Sequence, residues 1–104
     1  MEISSRLKTV ACMVDKCRCA ADIGTDHGYV PIYLIKNHIC SRVIASDINI
    51  GPIKKAMLNV KSENLSGRID CRLGEGLSTI APGEAEEIVI AGMGGNLIAD
   101  IIES

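Results

Sequence analysis

Ala21-Asp22-Ile23-Gly24-Thr25-Asp26-His27-Gly28-Tyr29 is a glycine-bearing turn set between two apolar runs. The run before it is short. The run after it is helix-like and carries Val30, Leu34 and Ile35. A doubly wound α/β fold passes from its first strand to its first helix through such a turn. Gly24 and Gly28 permit a tight turn and a close backbone approach to a ligand, because no Cβ intrudes. The spacing is G-x-x-x-G, not the G-x-G-x-x-G of dinucleotide binders. Asp22, Asp26 and His27 stand around the glycines. Carboxylates repel phosphate, so the loop favours a cationic or zwitterionic ligand over a pyrophosphate. S-adenosylmethionine, with its sulfonium and ammonium groups, meets that condition.

Working outward, apolar runs alternate between strand and helix character. Residues 4–15 predict an amphipathic helix from Leu7, Val10, Ala11 and Val14. Strands are expected over 19–23, 41–47, 69–73 and 88–91, with one crossover helix that has Pro31 in its first turn and runs to about His38, and a second from Ile53 to about Glu63. Pro31 is tolerated in a first turn. Gly67 is read as the left-handed stop of the second crossover. Leu97, Ile98, Ile101 and Ile102 predict the start of a further helix. The alternation gives a parallel sheet with right-handed crossovers and helices on both faces. Ligands bind such sheets at the carboxyl ends of the strands. Four loops should meet there: 22–29, 47–49, 74–76 and 92–95.

The chain has 104 residues, 47% hydrophobic, and a formal net charge of -2. That is one domain, 1–104. No apolar run spans a bilayer and no charged-then-apolar leader opens the chain, which points to a cytoplasmic protein. Five cysteines without a C-x-x-C pair read as buried reduced thiols, with neither a disulfide framework nor a metal site. Tyr29 and Tyr33 are the sole aromatic rings beside histidine. A nucleic-acid module usually offers stacking rings and a basic surface, so any such grip should come from elsewhere.

Each loop has a chemistry. Asp47 follows Gly28 by about 20 residues, the separation at which an acidic residue accepts ribose hydroxyls. Its alternative is a water-facing strand end. Asn49 and Gly51-Pro52 shape the turn into the next helix. Gly74-Glu75-Gly76 exposes backbone amides, and Glu75 either takes an adenine amino group or is a solvated turn residue. Gly92-Met93-Gly94-Gly95 concentrates three glycines, which favours a path lining a transfer site or a simple helix start. Histidine is the residue type suited to proton transfer near neutral pH, so His27 is a candidate base or a loop-orienting group. Tyr29 can stack on a base or bond a substrate. Lys54, Lys55 and Lys61 read as a solvated helix face.

Together the stretches A-D-I-G-T-D-H-G-Y (21–29), V-I-A-S-D-I-N-I-G-P (43–52), R-L-G-E-G-L (72–77) and I-V-I-A-G-M-G-G (88–95) resemble one family, in order, over nearly the whole chain. It is similar to the bacterial tRNA adenine-N1-methyltransferases of the TrmK family. The D-H-G-Y and I-A-G-M-G-G motifs carry most of the specificity. The resemblance implies a Rossmann-like class I methyltransferase core using S-adenosylmethionine and acting on tRNA. Asp22, Gly24, Asp26, His27, Gly28 and Tyr29 then match the first donor loop. Asp47 and Ile48 match the ribose and adenine contacts, and Gly74, Glu75 and Gly76 the third loop. Ala91, Gly92 and Met93 match the cofactor side of the methyl-transfer loop. Asp26, His27, Tyr29 and Gly94 are the candidate catalytic positions. Family members run further, through more strands and a helical region that helps hold tRNA. This chain is therefore expected to be an N-terminal part holding the first half of the sheet, with the bare edge of its fourth strand available for self-association. A non-catalytic cofactor-binding piece is the rival expectation. A nicotinamide-dependent oxidoreductase is disfavoured by the missing middle glycine and by Asp26.

Overall fold

A computed structural model describes residues 11, 12, 14–25 and 27–90, together with the backbone of 97–100. Five strands form one sheet: β1 (Cys17–Ile23), β2 (Cys40–Asp47), β3 (Ile69–Leu73), β4 (Glu87–Ile90) and β5 (Leu97–Asp100). Two helices, α1 (Tyr29–Lys36) and α2 (Ile50–Ser62), connect the first three strands. A short 3-10 turn, Gly76–Thr79, follows β3. The order is β3-β2-β1-β4-β5, with β1 to β4 parallel. Chain direction across the sheet reverses between β1 and β4. That reversal opens a crevice at the carboxyl ends, as expected.

The core explains the elements. α1 buries Val30, Pro31, Ile32, Leu34 and Ile35. Val30, Ile32, Leu34 and Ile35 pack with Ala20, Val43, Ala45, Val60, Ile69 and Val89 on one face of the sheet. Ala11 and Val14 join this cluster, which places the end of the expected first helix; the start of that helix lies outside the described residues. Ala21, Ile23, Ile44 and Ile88 face the other way and are covered by Ile80 and Ala85. Among the described residues both helices therefore sit on one face, and an irregular segment covers the second.

Two helix stops use residues other than glycine. Asn64 takes φ 60°. Its N–H donates to Lys61 O at 3.0 Å, and Leu65 N–H donates to Val60 O at 3.0 Å. Gly67, the expected left-handed stop, is not in that region: the turn came three residues earlier because Leu65 closes onto the core beside Val60. His38 does the same for α1, at φ 58°, with Ile39 N–H donating to Leu34 O at 2.9 Å. His38 is thus a helix stop. Among the described residues no group of three metal-capable side chains exists. The described cysteines are free. Desolvation pushes the thiols of Cys17, Cys19, Cys40 and Cys71 up, which keeps them protonated.

Residues 97–100 correct an expectation. They form a strand antiparallel to β4, with Ile90 opposite Leu97 and Glu87 opposite Asp100, where a helix was expected. Four apolar-rich residues do not distinguish helix from strand by period alone. β4 offered unpaired backbone groups along one side, and the returning chain satisfies them. β4 accordingly has no bare edge. No helix among the described residues is long and apolar enough to cross a membrane.

Candidate active site

Three loops are tied to one another at the end of β2. Ser46 O accepts from both Gly24 N–H and Thr25 N–H, each at 2.9 Å. Asp47 O accepts from Gly74 N–H at 3.0 Å. The first loop, the acidic strand end and the third loop are therefore held together by backbone bonds. Between them lies a crevice of about 390 Å3, lined by Ile23, Gly24, Ser46, Asp47, Ile48, Asn49 and Gly74 to Gly76. This volume suits a nucleoside-sized ligand.

The side chains in it divide the work. Asp47 Oδ1 accepts from Asn49 N–H at 2.8 Å, which fixes the carboxylate and starts α2. A carboxylate has several acceptor sites, so this bond leaves capacity for a diol. Ile48 is 61% exposed, an apolar surface beside the crevice that a flat base can cover. Glu75 caps the 3-10 turn with its main chain, accepting Ser78 N–H at 2.9 Å. Its side chain is exposed at the crevice wall. Ser46 Oγ and Thr25 Oγ1 are buried with no hydrogen-bond partner among the described residues. A buried hydroxyl without a partner is costly and points to a group or water that completes it.

Among its described residues the donor loop has three in the left-handed region: Gly24 at φ 75°, and the consecutive pair His27 at 57° and Gly28 at 77°. Gly28 also packs where a Cβ would lie 3.3 Å from Ala56 Cα and Cβ. Asp22 is buried at the end of β1. The His27 and Tyr29 rings lie 5.4 Å apart, and Tyr29 also rests against the core. Asp26, Ala91, Gly92, Met93 and Gly94 lie outside the described residues. The structure thus brings together Gly24, Asp47, Ile48, Gly74, Glu75 and Gly76 around one crevice. It places Asp22 in β1 just before the crevice, His27 and Gly28 on the loop leading from it, and Tyr29 at the start of α1.

Sequence reasoning missed Ser46, Thr25 and Asn59. Ser46 looked like an ordinary strand residue. Asn59 gave one signal, an amide inside the helix between the apolar Leu58 and Val60; its Nδ2 donates to His27 O at 2.8 Å. Arg72 was also passed over. Its guanidinium donates to both oxygens of Glu84 at 2.7 and 2.6 Å, to Thr79 O at 2.6 Å and to Asp70 at 2.9 Å. It fastens β3 to the 3-10 turn that walls the crevice. Lys54 and Lys61, read as a solvated face, flank an apolar groove with Met57, Leu58 and Ile69.

Arg72 holds the Glu84 carboxyl down at about 2, from an ordinary 4.5. A lowered native pKa adds stability that is fully present above pH 4.5 and is lost as pH falls toward 2. Arg72→Met should cost about 1–2 kcal/mol at neutral pH. It should also flatten the acid limb of a urea-midpoint profile between pH 4.5 and 2. An unchanged acid limb would assign that limb to other carboxylates.

Comparison with known proteins agrees with this geometry. Residues 3–104 match a family described as a methyltransferase domain. The chain belongs to that methyltransferase family. It is 45% identical, over all 104 residues, to the tRNA (adenine(22)-N(1))-methyltransferase of Bacillus subtilis strain 168, and covers 44% of that relative. The B. subtilis TrmK crystal structure superposes with a TM-score of 0.84 at 44% identity, over 89% of this chain and 40% of that one. The M. capricolum TrmK complex with S-adenosylhomocysteine gives 0.75 at 38% identity, over 86% of this chain and 39% of that one. The methyltransferase domain described here thus spans less than half the length of these relatives. Its sheet and helices have the Rossmann-like methyltransferase arrangement.

Proposed function

We propose that this chain is the N-terminal, cofactor-holding part of an S-adenosylmethionine-dependent methyltransferase acting on N1 of an adenine in tRNA. The observation that supports it most is the crevice itself: Asp47, Ile48 and the Gly74 to Gly76 loop at one sheet edge, tied to the acidic donor loop through Ser46 and Asp47 carbonyls. Asp47 takes the ribose diol by charge-assisted bonds, Ile48 takes a face of the adenine, and Glu75 takes its amino group. Ser46, which lines the crevice, has in its Oγ a buried group whose partner the ligand supplies. Asp22, Gly24, Asp26, His27 and Gly28 are assigned to the amino-acid end as the donor-loop residues of the family resemblance.

The cofactor supplies a methyl group on a sulfonium centre. When bound, it would give that methyl to the adenine N1 lone pair, with a neutral thioether as the leaving group. The chain's contribution is alignment, worth roughly 7–11 kcal/mol when complete. By the family resemblance, Tyr29 and Gly94 are assigned to the acceptor base, and Ala91, Gly92 and Met93 to the cofactor. The proton later shed by the base goes to Asp26, His27 or water.

Activity on tRNA implies a cytoplasmic place. With a net charge of -2 and few aromatic rings, these residues make a poor phosphate-binding surface. A region beyond residue 104 therefore supplies most of the tRNA grip. Among the described residues β3 and β5 are the sheet edges, so self-association uses one of these and not β4.

Calorimetric titration with S-adenosylmethionine and NAD tests the cofactor. The expected result is binding of the first and none of the second; tighter NAD binding would overturn the reading. A methyl-transfer assay on tRNA then compares the 104-residue chain with its longer parent. The chain alone should bind cofactor and transfer little.

A further inference from the structure

α2 grips the donor loop from the side. Asn59 Nδ2 donates to His27 O at 2.8 Å across a part-buried gap. One turn earlier on the same helix face, Ala56 lies against Gly28 so closely that a Cβ there would come within 3.3 Å. His27 stands at φ 57°, a left-handed region uncommon for any residue with a Cβ, and Gly28 follows at 77°. Something must hold this backbone, and Asn59 offers the polar contact. The peptide between the two residues is trans and planar, so aiming the His27 carbonyl at α2 turns the Gly28 N–H the opposite way. An amide lowers helix propensity relative to Ala or Leu. Its place within α2 is explained by this bond.

The other end of the same helix is fixed to the ribose side of the crevice. Asn49, its N-cap, donates to Asp47 Oδ1 at 2.8 Å. One rigid element thus sets the position of the carboxylate and of the far end of the donor loop. The near end is held separately by Ser46 O.

We propose that Asn59 is a positioning residue: its amide locks the His27–Gly28 peptide and preforms the loop for the amino-acid end of the cofactor. This rests on the cofactor reading above. It makes a specific demand, because the adenosine half of the ligand touches the other loops and not this one.

The test uses Asn59→Asp, which keeps the shape but removes the donor. Two ligands are titrated: S-adenosylhomocysteine, which has the amino-acid end, and 5′-methylthioadenosine, which lacks it. Losing one neutral hydrogen bond should weaken S-adenosylhomocysteine about threefold to tenfold. Binding of 5′-methylthioadenosine should stay within about twofold of the parent. Equal loss for both ligands, or loss for neither, overturns the proposal. Should Asn59→Asp fail to fold, Asn59→Ser carries the same comparison, since its shorter hydroxyl cannot span the gap. Should the parent bind neither ligand, the cofactor reading falls instead. The loop claim is then judged by amide exchange at residues 27–29, which must quicken in the variant or be abandoned.

Discussion

Replacing Asp47 with alanine is expected to weaken S-adenosylmethionine binding by about 100-fold or more. A diol makes two hydrogen bonds to a carboxylate, and bonds to a charged group contribute about 1.5–3 kcal/mol each. One tenfold step is about 1.4 kcal/mol, so even the lower figure passes 100-fold. Asp47 also accepts from Asn49 N–H, so the alanine variant loses a local turn bond as well. Asp47→Asn separates the two roles. Its amide oxygen still accepts from Asn49 while the charge is gone, and the loss should fall to about tenfold. Calorimetry reads affinity and thermal melting reads the turn. Unchanged affinity in Asp47→Ala would leave the residue with the turn alone and take the ribose site away from β2.

The second large effect concerns stability. Gly28→Val should destabilise the chain by about 2–5 kcal/mol. A left-handed backbone costs a residue with a Cβ about 1–2 kcal/mol. The added atoms meet Ala56 Cα and Cβ at 3.3 Å, and overpacking adds about 1–3 kcal/mol. Gly51→Ala is the contrast. It lies in α2, meets nothing within 4 Å, and should gain about 0.5–1 kcal/mol from helix propensity. Urea midpoints of the two variants should move in opposite directions. A Gly28→Val chain that melts with its parent would mean that the donor loop does not hold this close packing against α2.

Much of the site was legible because its residues end apolar runs. Asp47 ends β2, Gly74 follows β3 and Gly24 follows β1, and a parallel sheet sends all three ends to one edge. β3 matched its expected span because Ile69 and Leu73 are bounded by turn residues on both sides. Partners across the chain were not legible. Nothing local to Asn59 says that its amide meets a carbonyl 32 residues away. Nothing local to Ser46 says that its carbonyl serves two amides of another loop.

What the sequence by itself determined is which residues leave water, with what period, and where the chain must turn. That decides four parallel strands, two crossovers and an acidic glycine turn, since burial and local sterics act over a few residues. Tertiary structure decided the rest. It moved the helix stop from Gly67 to Asn64, because Leu65 had a core to close upon. It made 97–100 a strand, because β4 had an unpaired side. It set α2 against the donor loop. Each of these outcomes depends on a partner distant in sequence, and a pattern of apolar and polar residues carries no record of which distant groups will meet.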